Sequence, residues 1–406
     1  MRYRLVRSVC VAVVIAVVLV SMSGVTHTNA PEGQPAPAQP SAQAAAAPRT
    51  PWGEPDIQGL WSVDFVVPLQ RPTGVTSEFY SDEEVAALDR ERTGTSVFGN
   101  HVRAEPGTEA DVAGAYNAVF TSQRPTGRRT GMIIDPPDGR MPAFTAEAQA
   151  MQAAMREYQL ALLQNTNVCR DDQPGCRGGT YGPPSPRRDE LAPYYVTRNI
   201  NRAYGPEDRS LGERCMSGNV PQFGGGFTGI HYRVVQSPGV VTIFYDVGQG
   251  QGFNRVIPIT DAPHLPAHVQ QWWGDSRGRW EGNTLVVDVT NFTPKRDFQG
   301  SRENLHLVER WSRSSPDTLE VVSTMEDPTV WTAPWTVVQE FNIQDNRANR
   351  IYYEPRCHEG NYGLPGIFIG ARSEEQAFAE GRGPDPATKC IAGCAPSDGR
   401  DPLALR

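Results

Sequence analysis

Chemistry-bearing side chains concentrate in residues 272–292, WWGDSRGRWEGNTLVVDVTNF, where Asp275, Arg277, Arg279 and Glu281 are interleaved with Trp272, Trp273 and Trp280. Carboxylates and guanidinium groups in this mixture can orient a polar ligand, and indoles can stack on a planar or sugar ring. An imidazole titrates near neutrality and a buried carboxylate can be raised toward it, so proton transfer needs a histidine close by. His264 and His358 therefore join Asp275, Arg277 and Glu281 as candidate acid/base residues. His306 and Glu359 join Trp272, Trp273 and Trp280 as candidate ligand contacts. The competing reading of each is structural: a satisfied hydrogen bond, or an ion pair buried under an aromatic lid.

Three sharper motifs are weighed and set aside. Gly274-Asp-Ser-Arg-Gly278 matches the G-x-S-x-G nucleophile elbow, but that elbow needs a helix after the serine, and here a hairpin pattern follows. Asp275 and Ser276 are instead expected to shape a turn through their short side chains. His264-x3-His268 has metal-ligand spacing, but Pro263 and Pro266 break the helix that would align the rings. The glycine run that follows Phe223 lacks the lysine and helix of a phosphate cradle, so it reads as flexible backbone. No metal is assigned, and the cofactor is left open.

The elements that must position these residues are mostly strands. Residues 230–236, 240–246, 255–259, 284–289, 305–313, 318–324, 335–343 and 350–354 alternate in polarity, with turns about every ten residues. That spacing predicts an antiparallel meander closing into a lipocalin-like barrel or strongly curved sheet, with a β-sandwich as second choice. Gly59-x-Trp61 opens an earlier strand, in the way that many such barrels begin with a tryptophan plugging one end. Gly282 and Asn283 mark a reversal between Trp280 and Thr284. Helices are few. Ser81 and Glu84 form a capping box for a helix through Arg92, and a helical turn is expected near Ala113. Thr145 N-caps the longest helix, 146–164, whose Met151, Met155, Tyr158 and Leu162 form a core-facing stripe.

With 406 residues, 39 Gly and 35 Pro, the chain can bury a sizeable core built of short elements. A net charge of −8 argues against nucleic acid or an anionic membrane as the main partner. Residues 1–30 read as a signal peptide: Arg2, Arg4 and Arg7, then an apolar run over 9–20, then a small polar region. The protein is thus expected to be periplasmic or secreted, with no stable membrane insertion after cleavage. Residues 31–50 form a Pro/Ala-rich linker, 51–190 an N-terminal segment packed on the main domain, 191–380 the antiparallel β domain and 381–406 a cysteine-containing tail. Removing Cys10 leaves six cysteines for an oxidising compartment. The most economical pairing joins Cys169 to Cys176, Cys390 to Cys394, and Cys215 to Cys357; zinc held by Cys390, Cys394 and His358 is the alternative.

The segments RTGMIIDPPDGRMPAFTAEAQ, RVIPITDAPHLP, GDSRGRWEGNTLVVDVTNF, LHLVERW, EDPTVWTAPWT and CHEGNYGLPGIFIGAR resemble a large, functionally uncharacterised family of exported proteins abundant in soil bacteria. The likeness covers most of residues 52–380. Asn283 stands where that family usually has Asp, and Arg279 where His is common. The resemblance implies a class and a compartment but no reaction, and oligomeric state stays open. Two functions therefore remain. One is an enzyme acting on a small molecule or glycan by general acid/base chemistry. The other is a non-catalytic small-molecule binder of lipocalin type, with an envelope structural protein as a third option. Convergence of the five acid/base candidates in one cleft favours the first; their dispersal as isolated ion pairs favours the others.

Overall fold

The computed structural model describes residues 48–94, 124–216, 219–223, 231–248, 251–344, 357–358 and 361–394. The segments expected as signal peptide, most of the linker, helical turn near Ala113 and strand at 350–354, together with the glycine run after Phe223 and Glu359, lie outside them. From Ala47 onward the chain forms one compact unit.

Ten strands build one sheet. They are β1 (Gly59–Ser62), β2 (Ile133–Asp135), β3 (His231–Ser237), β4 (Val240–Gly248), β5 (Gln251–Pro258), β6 (Asp275–Glu281), β7 (Thr284–Thr290), β8 (His306–Ser315), β9 (Thr318–Glu326) and β10 (Trp335–Ile343). Their order is β5-β4-β3-β1-β10-β9-β8-β7-β6, with β2 added beside β10. Every pair along that path is antiparallel, so the expected meander is present, and β1 joins its two halves. The first strand is thus a stave of the sheet itself, between β3 and β10.

The two ends of the path nearly close a barrel. Ile259 bridges Gly278 in parallel, and the Thr260 amide donates to the Gly278 carbonyl at 2.9 Å. The parallel sense follows from counting: a ring with an odd number of staves, all others antiparallel, must contain one parallel seam. Gly278 is what permits the approach, since a Cβ there would stand 2.8 Å from Ile259 Cδ1 and 2.9 Å from Ile257 Cγ2. The connection from β5 to β6 therefore has to run back along the barrel, and residues 260–273 do so over the outer face of β6 and β7.

Alternation sorts the side chains. Tyr232, Val241, Ile243, Tyr245, Leu285, Val287, Val289, Leu307, Trp311, Leu319, Val321 and Phe341 fill the interior. Fully burying a ring such as Phe341 contributes on the order of 2 to 3 kcal/mol. Trp61 is fully buried at the end where β8 finishes, its Nε1 donating to the Ile57 carbonyl and Arg313 lying 4.9 Å over its ring. The opposite end, where β6, β8 and β10 begin, is covered by Phe223, Phe298 and Trp331.

Among the described residues four α-helices lie outside the sheet: α1 (Asp82–Gly94), α2 (Ala146–Leu163), α3 (Asn167–Arg170) and α4 (Gly363–Ala379). The capping box is formed, with Glu84 N donating to Ser81 Oγ and Ser81 N to Glu84 Oε2. Thr145 caps α2 through Ala148 N. The stripe on α2 is shorter than expected: Met155, Tyr158 and Leu162 are buried, but Met151 is exposed, and Ala148 is the residue that the first turn buries. Helix α4 was not anticipated; Gly363, Pro365, Gly366 and Gly370 mask its period. The disulfides are Cys169–Cys176, Cys215–Cys357 and Cys390–Cys394, the economical set.

Candidate functional site

β6 begins at Asp275, five residues before the hairpin arm predicted from Trp280. Asp275 and Ser276 are therefore strand residues and not turn residues, and the pleat sends them to opposite faces. Ser276 enters the barrel, where its Oγ accepts from Arg255 Nε at 2.9 Å. A hydroxyl held by a guanidinium has no base to activate it, which removes the nucleophile reading on geometry.

Asp275 faces outward, beneath the returning crossover, and is 5% exposed. It accepts from Leu265 N at 3.0 Å, from Arg277 Nη1 at 2.6 Å and contacts His264 Nδ1 at 2.9 Å. The other ring nitrogen of His264, Nε2, lies 2.8 Å from Asp288 Oδ1 on β7. The second oxygen of Asp288 meets His306 Nε2 at 3.2 Å, and His306 Nδ1 stands 3.7 Å from Glu326 on β9. The side chains thus form a row across four strands: Asp275, His264, Asp288, His306, Glu326. Exposure rises along it, from 6% for the Asp275 side chain to 41% for His306 and 54% for Glu326.

Protonation follows from the contacts. A neutral imidazole has one N–H and one lone pair, so two carboxylates can be met at once only by a doubly protonated His264 or with one carboxyl carrying the proton. Burial works against charge on Asp288, yet the hydrogen bonds from His264 and His306 outweigh it and hold its pKa below the ordinary value. Towards an ionised Asp288, His306 Nε2 is the donor whether the ring is neutral or charged. Asn291 fastens the crossover further on, its Nδ2 donating to the carbonyls of Leu265, Pro266 and Val269 at 2.9 to 3.1 Å.

Of the five acid/base candidates, three converge: His264, Asp275 and Arg277. Glu281 sits at the far end of β6, paired on the surface with Arg279 and Arg310. His358 is exposed beside the Cys215–Cys357 bridge, in no contact with the row among the described residues. His306 joins the row; it was expected only as a ligand contact. Asp288, the central member, was missed. The hairpin register would have found it, since a reversal at Gly282 and Asn283 sets Arg277 opposite Asp288.

The aromatic lid over an ion pair is not formed. Trp280 packs with the interior while Arg277 and Arg279 point outward, as alternation along one strand requires. Trp273 stacks on Phe253 at 4.5 Å, at the other end of β6. Trp272 is half-buried next to it, and Trp311, Trp331 and Trp335 are buried in the core instead of lining a mouth. Asn283 accepts from Arg49 at 2.8 Å at the turn, away from the row. No group of three metal-ligating side chains occurs among the described residues, and none of their helices is long and apolar enough to cross a membrane.

No family profile and no curated protein matches the chain. Among solved structures it is similar to a secretory abundant heat soluble (SAHS) protein from Ramazzottius varieornatus, at 11% identity over 31% of this chain and 77% of that one, with a TM-score of 0.21. A score this low leaves the barrel assignment resting on the strand pairings alone.

Proposed function

We propose that this protein is an acid–base enzyme acting on a polar small molecule or glycan at the outer-face row, with His306 exchanging the proton with substrate. One observation carries the reading: His306 is held through Nε2 by the ionised Asp288 while its Nδ1 stands 3.7 Å from Glu326, beyond hydrogen-bond reach, on a side chain that is 41% exposed. His264 and Asp275 act behind it by fixing Asp288, and Glu326 is placed to stabilise the imidazolium that forms. Among the described residues no hydroxyl or thiol is hydrogen-bonded to His306, so the proton it takes comes from water or from the substrate itself. The three disulfides support an oxidising compartment, periplasmic or secreted.

The test is a panel of glycosides, esters and small hydroxy and keto compounds, assayed with the native protein and with His306→Gln. A general base contributes about 10²- to 10⁴-fold, so any activity found should fall by that much. Activity that survives the substitution, or no turnover across all three classes, overturns the reading.

A second reading, a non-catalytic small-molecule binder, is favoured by the stack of Tyr245, Phe253 and Trp273 at the barrel end where β6 begins. Trp273 is partly exposed there, and its ring offers an apolar ligand a stacking surface.

A further inference from the structure

A second set of side chains without partners lies away from the outer-face row, in the layer that covers the barrel end where β6, β8 and β10 begin. Arg296, in the connection after β7, is 1% exposed. Its Nη2 donates to the Val220 carbonyl at 3.0 Å, but Nε and Nη1 have no acceptor among the described residues. No carboxylate pairs with it among the described residues; the adjacent Asp297 is taken by Arg302 at 3.1 Å. The guanidinium carbon stands 4.2 Å from the centre of the Phe292 ring and 5.9 Å from that of Phe298.

The surroundings are aromatic and offer further donors. Phe298 stacks on Trp335 at 6.0 Å, and Trp331 stands edge-on to Phe298 at 6.5 Å and to Trp335 at 5.4 Å. The indole nitrogens of Trp331 and Trp335 are buried without acceptors as well. Ring faces attract a guanidinium, but more weakly than the loss of hydration opposes burying its charge. Burial accordingly pulls the Arg296 pKa down to about 9. Every unmet group in the layer is a donor. What such a layer lacks is an anion on a flat apolar body, since a carboxylate meets guanidinium N–H groups in plane and an aromatic ring packs among aromatic rings.

We propose that this cap is a binding site for small aromatic carboxylates, with Arg296 receiving the carboxylate and Phe292, Phe298, Trp331 and Trp335 enclosing the ring. The site is separate from the acid–base row and does not depend on that reading. Benzoate and phenylacetate are titrated calorimetrically into the full chain, with benzamide as the uncharged control. Saturable binding of the two acids is expected, with no binding of benzamide, and at least a tenfold loss in Arg296→Met. Should that variant fail to fold, the indole N–H resonances of the native protein decide: benzoate is expected to shift those of Trp331 and Trp335. No saturable binding of either acid, undiminished binding in Arg296→Met, or unmoved indole resonances overturns the proposal.

Discussion

Arg255 on β5 and Glu309 on β8 meet across the barrel interior, Nη1 to Oε2 at 2.5 Å, with 3% of each side chain exposed. Tyr245 also accepts from Nη1 at 3.2 Å and Ser276 accepts from Nε at 2.9 Å, while Nη2 meets no acceptor among the described residues. Burial opposes the charge on Arg255, but Glu309 outweighs it and raises the pKa. Breaking such a pair strands one ion in the core, so Glu309→Ala should lose about 3 to 5 kcal/mol of unfolding free energy in urea. The double variant Arg255→Met, Glu309→Leu should recover most of that loss. Equal losses in both would show that the pair acts through packing alone.

Asp288 gives the acid limb of stability a defined sign. Its folded pKa lies below the ordinary 3.8, so its contribution is complete above the unfolded value and disappears as pH falls through the folded one. Melting temperature should therefore drop below about pH 4 more steeply in the native protein than in Asp288→Asn. Parallel curves for the two proteins between neutral and strongly acidic pH would contradict the assignment.

Gly278 sets how closely β5 can approach β6. A valine there meets Ile257 and Ile259, and overpacking of this kind costs about 1 to 3 kcal/mol. The Thr260 amide, bonded to the Gly278 carbonyl across the seam, should exchange with solvent faster in Gly278→Val, while amides of β8 and β9 keep their protection. Uniform loss of protection would instead point to global destabilisation.

Two disulfides of very different span should differ in worth. Cys215 and Cys357 are 142 residues apart, whereas Cys390 and Cys394 are 4 apart. Loop-closure entropy gives about 5 kcal/mol for the first and about 2 for the second. Paired serine substitutions compared by urea denaturation should reproduce that order.

What the sequence made legible follows from how local each signal is. The strand at Trp335–Ile343, the cap at Thr145 and the short-range cysteine pairs are encoded within a few residues, and each stands where its residues place it. The acid–base row is not local. Asp288 looks like one polar residue in an apolar strand until the register sets it opposite Arg277 and the crossover brings His264 down beside it. Ser276 shows the same limit from the other side: its motif is intact, and one step of the pleat places it against Arg255 in the core. Helix α4 escaped because its glycines and proline imitate a loop, although only Leu364 along it is buried and little packing reinforces a period.

The position of β1 between β3 and β10 has a consequence for the order in which the molecule can assemble. Trp61 pairs with Tyr232 on one side and Ile343 on the other. A ribosome delivers β1 among the first elements and its second neighbour only after every other strand of the sheet, so the ring cannot be completed until β10 has been made. High contact order of this kind slows folding. The two hairpin runs, β3 to β5 and β6 to β10, can form early from near neighbours, and the docking of the short strand at Trp61 becomes the step that welds them.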